Sequence, residues 1–173
     1  MDENANGITI PPAGASRLNY AGALRLIMSL PDFERAKSSP GHSTFHLERM
    51  GLLLERLGNP HLGIPTVHVA GTKGKGSTSA MVASTLTAAG YRTGLYTSPH
   101  LHSVTERIRV GKESISNQDF ADLVAAIWTD IEWTGQQGYG GVSFFEIVTL
   151  AVPAWSSRPL ALSSRISTFA SMQ

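Results

Sequence analysis

The chain has 173 residues, 42% of them hydrophobic and 16% charged, enough for one domain with a real core and too few for two full ones. Fourteen Lys and Arg against thirteen Asp and Glu leave a formal charge of +1, so no diffuse field holds a polyanion and nucleic acid is not an expected partner. The absence of cysteine excludes disulfides, thiolate zinc sites and a cysteine nucleophile; any metal must be held by oxygen or histidine.

Residues 1–19 read as a flexible lead-in containing Gly, Pro and Asn. It has no apolar run of signal-peptide length, and no stretch of the chain approaches a membrane span, so no membrane partner and a cytoplasmic address are expected. Tyr20 to Leu30 is apolar enough for a helix stopped by Pro31, and Ser38-Ser39-Pro40-Gly41 reads as loop. Leu47, Met50, Leu54 and Leu57 then recur at helical spacing until Gly58-Asn59-Pro60 ends the pattern. Thr66 to Ala70 is a β-favouring run leading directly into Gly71-Thr72-Lys73-Gly74-Lys75-Gly76-Ser77, followed by a helical stretch to Ala89 and a capping Gly90.

Thr93 to Thr97 makes a second buried strand, and a helical crossover of this length between two strands predicts a parallel, right-handed βαβ unit. The fold class that follows is α/β. Glu106 to Ser116 reads as a hairpin turning at Gly111-Lys112, and Phe120, Leu123, Val124, Ile127 and Ile131 mark a helix entered through Ser116 or Asn117. Gly135 to Gly141 is expected to be a flexible linker. Ser143 to Val152 starts another helix, which Pro153 and the six serines of residues 153–173 are expected to break, with no strand beyond it to complete the sheet.

Chemistry concentrates between Gly71 and Ser77. A glycine-rich turn from strand to helix frees backbone N–H groups to converge on one concavity, and the helix N-terminus adds partial positive charge; together they suit a polyphosphate. Lys75 would bring a full charge to the terminal phosphates. Glycines alone also make ligand-free turns, but three glycines, two lysines and a Ser-Thr pair in eight residues favour phosphate. The spacing departs from the common Walker loop: Val69 stands where that loop has its first glycine, and Gly76 where it has Ser or Thr, which leaves Ser77 one residue late for magnesium.

Three segments together resemble the Mur-ligase-like ATP-dependent ligases and, within them, the folylpolyglutamate and dihydrofolate synthases. They are His68-Val69-Ala70-Gly71-Thr72-Lys73-Gly74-Lys75-Gly76-Ser77-Thr78, Gly94-Leu95-Tyr96-Thr97-Ser98-Pro99-His100-Leu101, and Glu106-Arg107-Ile108-Arg109-Val110. The Lys-Gly-Ser ending of the loop favours the folate branch. Similarity runs from about Tyr20 to Ala151. The resemblance implies a P-loop-containing Mur-ligase-type ATP-binding domain, a parallel sheet flanked by helices. On this resemblance the domain would be truncated: residues 20–152 would be its N-terminal part, 153–173 an atypical Ser-rich tail, and the C-terminal ligase domain would be absent.

The implied activity is addition of L-glutamate to folate, to dihydropteroate, or to both. ATP phosphorylates a carboxylate and the glutamate amine attacks the acyl phosphate, with ATP and Mg²⁺ as cofactors and a monomeric parent enzyme; this shortened chain is expected to be inactive. By family position Gly71 to Ser77 hold the nucleotide, Lys75 stabilises charge in the reaction, and Ser98 is a hydroxyl ligand of Mg²⁺. The family's other metal ligands, a glutamate on a later strand and a histidine further on, have no match here. Family members generally carry Asn at the position of Lys73. Ser143, Phe144, Phe145 and Glu146 fit the family's pterin-contacting turn, although Ser-x-x-Glu is also a capping box and the phenylalanines also suit a core. Thr44, Phe45 and His46 fall at another pterin contact with unusual residue types. Trp128 and Trp133 read as packing residues. Two other classes stay open: a P-loop kinase or GTPase, whose acid or base motif is missing, and a non-enzymatic nucleotide-binding remnant.

Overall fold

The computed structural model describes residues 18–31, 47–156 and 167–172. Thr44, Phe45 and His46 and most of the expected lead-in lie outside these residues. The chain divides into two compact units, residues 1–58 with 117–147, and residues 59–116 with 148–173.

The first unit is helical. Helix α1, Tyr20–Met28, begins where the Asn19 side chain accepts a hydrogen bond from the Gly22 N–H, the standard way of satisfying a first-turn donor. Helix α2 spans Leu47–Arg56 and helix α4 spans Asn117–Gly135; both α1 and α2 pack on α4. The period-3.6 stripe on α4 is buried as expected, with Phe120, Leu123, Val124, Ile127 and Ile131 all inside. The Tyr20 ring meets Phe120 edge-on at 5.9 Å between centroids. Trp128 is buried and donates from Nε1 to Glu132 (2.9 Å), and Trp133 lies under the Arg56 guanidinium, 4.2 Å from its ring centre. Both tryptophans pack rather than line a ligand site.

Helix α2 corrects one expectation. Its buried residues are Arg49 and Leu53, while Leu47, assigned to the apolar stripe, is 82% exposed. The helix is rotated so that a guanidinium enters the core, which an apolar stripe cannot anticipate; the ion pair that compensates it is described below.

The second unit is built on a five-stranded sheet in the order β1-β5-β2-β3-β4, the strands being β1 Thr66–Val69, β2 Arg92–Tyr96, β3 Ile108–Val110, β4 Glu113–Ser114 and β5 Ser167–Met172. Strands β1 and β2 both run parallel to β5, with Val69 opposite Met172 and Leu95 opposite Ala170. The expected parallel unit from β1 to β2 is therefore present, with β5 inserted between them. β3 and β4 are the antiparallel hairpin read from the sequence. Helix α3, Lys75–Ala88, packs on β2 and β5 and ends with Gly90 at φ 88°, its N–H on Thr87 and the Tyr91 N–H on Leu86, a Schellman closure.

Two features of the C-terminal region differ from the sequence expectation. Helix α5 runs Phe144–Ser156 with Pro153 inside it, and β5 forms in the Ser-rich tail where no strand was expected. Proline lacks an N–H and cannot donate to the Thr149 carbonyl, but the helix continues another turn. β5 takes its hydrogen bonds from two ready-made parallel neighbours, so pairing overrides the weak strand signal of Ser-Thr-Phe-Ala-Ser-Met.

Between β2 and β3 the chain forms a loop closed by a short 3₁₀ turn, Val104–Arg107. The Glu106 carboxylate accepts from three successive backbone N–H groups, those of Leu101 (2.9 Å), His102 (3.0 Å) and Ser103 (2.8 Å). These bonds, first that from Leu101 and then that from Ser103, hold its carboxyl below the usual carboxylate range against the opposing effect of desolvation.

Because Glu106 is more acidic folded than unfolded, its contribution is fully present above the unfolded value of about 4.3 and fades as pH falls through the lowered folded one. A Glu106→Gln variant should thus lose stability at neutral pH and show a shallower decline below about pH 4.3, measured as unfolding midpoint against pH; parallel curves would show that the carboxylate is not held this way. In the first unit, Phe120→Ala should cost about 3–5 kcal/mol in urea unfolding followed by tryptophan fluorescence, whereas Val67→Ala, at an exposed position of β1 in the second unit, should stay within about 0.5 kcal/mol of the parent.

Candidate nucleotide site

The residues from Gly71 to Ser77 leave the C-terminal end of β1 and become the start of α3. Gly71 has φ 154° and Gly74 has φ 77°. At Gly74 open space surrounds the position of a Cβ, so the backbone angle, not crowding, calls for glycine. Lys75, Gly76 and Ser77 already belong to the first helical turn. The first intrahelical bond runs from the Thr78 N–H to the Gly74 carbonyl (2.9 Å), and Gly74 has no side chain with which to cap the helix. Among the described residues the N–H groups of Gly74, Lys75, Gly76 and Ser77 have no acceptor, the condition in which a helix start receives an anion.

Lys75 folds back so that its Nζ donates to the Gly71 carbonyl at 2.7 Å, bridging the two ends of the turn with a side chain. Thr72, Lys73 and Gly74 are exposed at the tip, and Lys75 and Gly76 are half-buried beneath it. The segment thus presents orphan amides, a helix dipole and two ammonium groups on one solvent-facing turn. Such an arrangement can stabilise charge on terminal phosphates without ionising or moving a proton.

Because β1 and β2 run parallel to the same strand, their C-terminal ends open on one edge of the sheet, the edge at which open α/β sheets receive ligands. The Gly71–Ser77 turn leaves β1 there, and Thr97-Ser98 leaves β2. Ser98 is half-buried in a loop held at several points. The Thr97 N–H donates to the Arg107 carbonyl (3.1 Å), the buried Arg107 donates from Nε to His100 Nδ1 (2.8 Å), and Glu106 gathers the three amides already described. Among the described residues no group of three or more His, Asp or Glu is placed to hold a metal ion. Ser98 brings a single hydroxyl, and among the described residues no such group stands beside it.

The predicted binding residues Ser143, Phe144, Phe145 and Glu146 fall in the first unit, at the start of α5. Ser143 and Glu146 form a capping box: the Glu146 N–H donates to Ser143 Oγ (3.3 Å), and the Ser143 N–H and Oγ both donate to Glu146 Oε2 (2.7 Å each). Glu146 is also the partner of Arg49, with Nη2–Oε2 at 2.9 Å, and the side chains are only 5% and 16% exposed. Phe144 is buried in the core and Phe145 is half-buried. Sequence reasoning missed Arg49. The available signal was an arginine in the opening turn of an amphipathic helix, which is ambiguous until its partner is seen 97 residues away.

No protein-family model matches the chain. It is 44% identical over 103 residues to the dihydrofolate synthase/folylpolyglutamate synthase of Bacillus subtilis, covering 60% of the chain and 24% of that protein. It is 36% identical over 122 residues to the protein of the same name from Mycobacterium tuberculosis, covering 66% and 25%. The chain therefore spans about a quarter of the length of these relatives. Among solved structures, folylpolyglutamate synthase from Thermotoga maritima superposes with a TM-score of 0.70 at 34% identity, over 87% of this chain and 32% of that one. A folylpolyglutamate synthase complex with AMPPCP and folate superposes with a TM-score of 0.72 at 30% identity, over 88% and 35%. In sequence and in fold, as a partial Mur-ligase-type α/β domain, the chain is of the folylpolyglutamate synthase type.

Proposed function

We propose that the chain contributes the nucleotide-binding part of an ATP-dependent ligase that joins L-glutamate to folate or dihydropteroate through an acyl phosphate. The observation that carries this reading is the uncapped start of α3, where the amides of Gly74 to Ser77 lack acceptors among the described residues, beside the Lys75 ammonium. The related complex with AMPPCP and folate supports it from outside, since that protein holds a nucleotide and a folate in a fold this chain shares.

In this reading Gly71, Thr72, Lys73, Gly74, Gly76 and Ser77 hold the phosphates. Lys75 exchanges the Gly71 carbonyl for a phosphate oxygen and stabilises charge as the terminal phosphoryl group passes to a carboxylate. Lys73, exposed at the tip, adds a second cation on the approach path. Ser98 would offer a hydroxyl to a magnesium ion, which would offset phosphate charge there. The turn from Ser143 to Glu146, with Thr44, Phe45 and His46, takes the pterin. The parent protein is read as a cytoplasmic monomer; among the described residues no helix is long and apolar enough to cross a membrane. A chain with a quarter of its relatives' length is expected to bind nucleotide without turning it over.

Calorimetry with ATP and Mg²⁺, then with folic acid, separates the alternatives. Binding of both ligands supports the ligase reading, nucleotide alone supports a nucleotide-binding remnant, and neither contradicts both. Lys75→Met should weaken ATP about ten- to hundredfold, the loss of a charge-assisted hydrogen bond of about 1.5–3 kcal/mol, while the thermal midpoint of the free protein falls by only about 2–4 °C, the share of the bond to the Gly71 carbonyl. Unchanged ATP affinity would remove Lys75 from the site. ADP release dependent on folate and glutamate should be undetectable; turnover by these 173 residues would contradict the expected inactivity.

A further inference from the structure

Strand β1 carries the Gly71–Ser77 turn, yet little packs against it. Thr66, Val67 and His68 are exposed and Val69 is half-buried, so both faces of the strand are open. β1 is also the outermost strand of the sheet, and helix α3 rests mainly on β2 and β5. Among the described residues its one strand neighbour is β5. Side-chain burial therefore contributes little to holding β1 in place, and the backbone ladder to Ser167–Met172 does most of it. β2 differs, since it also pairs with β3.

The same ladder relates the two halves of the candidate site. Phe169 stands opposite Thr66 on one side and Gly94 on the other, and Ala170 stands opposite Val67 and Leu95. β1 shares no rung with β2, so this common register sets the level at which the phosphate turn leaves β1 relative to Ser98 after β2. Neighbouring strands lie about 4.8 Å apart, which puts the two exits about 10 Å apart with the C-terminal end of β5 between them. A slip of one residue in the pairing of β1 with β5 would move the turn by about 3.3 Å against Ser98.

We propose that the Ser-rich tail is part of the nucleotide site: β5 is the positioning segment that holds β1, and with it the Gly71–Ser77 turn, in register with the Ser98 loop. This rests on the reading that the turn takes a nucleotide. The role is carried by main-chain donors and acceptors, so it depends on strand pairing more than on which side chains residues 167–172 bear.

The test uses whole-chain variants and calorimetry with AMPPCP. Proline in a central strand removes a ladder donor, so Ala170→Pro should bind AMPPCP at least about tenfold more weakly, the binding-competent register having become a minor state. Ala170→Ser keeps the donor and should stay within about twofold of the parent. Glu113→Pro breaks a rung of β4, at the opposite edge of the same sheet, and should also stay within about twofold. AMPPCP bound by Ala170→Pro as tightly as by the parent, or lost equally in either control, overturns the proposal.

Hydrogen exchange of the unaltered protein gives a second reading that needs neither variant nor ligand. The β1 amides that donate to β5 should exchange no more slowly than those of β5, to within about threefold. β1 amides protected at least about tenfold longer than those of β5 would mean that something else holds the strand, which rules out the positioning role. Should the parent bind no AMPPCP, the nucleotide reading fails by itself, and the exchange rates alone decide the role of β5.

Discussion

A helix that starts on a glycine has no side chain to turn back onto its own first amides, so those donors must be satisfied from outside. This constraint governs the second unit. Gly74 adopts a positive φ that other residues enter only with strain, the chain turns there from strand to helix, and four successive N–H groups have no acceptor among the described residues. The Lys75 side chain, bonded to the Gly71 carbonyl, ties the two ends of the turn together. Sheet topology then determines where the turn sits: β1 and β2 flank β5 in parallel, so whatever leaves their C-terminal ends shares one edge.

The loop after β2 shows how the second half of that edge is kept in shape without a large core. Ser98 is followed by a segment whose backbone amides at 101, 102 and 103 all point at one carboxylate, and whose buried arginine is met by a histidine nitrogen. The geometry is set by charge-assisted bonds to backbone, which are local and need little apolar area. In the first unit the same principle appears with higher burial. Arg49 and Glu146 are both withdrawn from water, and their value lies in fixing α2 against the start of α5, since a buried ion pair on its own adds little net stability.

Sequence reasoning reached the parts that follow from period and punctuation. The order of strand, glycine turn and helix around Gly71–Ser77 is present as expected, as are the buried face of α4 and the hairpin turning at Gly111. What it missed depends on partners far along the chain. β5 is a strand because two parallel edges accept it, and Ser167–Met172 carries too weak a local signal to announce that. The face of α2 turns on a pairing between residues 49 and 146, invisible to a stripe of leucines that placed exposed Leu47 inside. The Ser-x-x-Glu motif of the α5 start had two readings, and the structure shows its capping box formed, with the carboxylate engaged by Arg49.

The account stands or falls on where a nucleotide's terminal phosphates meet the backbone. Amide chemical shifts of ¹⁵N-labelled protein, followed as AMPPCP is added, address that directly. The account predicts the largest movements at Gly74, Lys75, Gly76 and Ser77, the donors left without acceptors at the start of α3. Saturable binding that leaves those four amides unmoved and shifts others would contradict it.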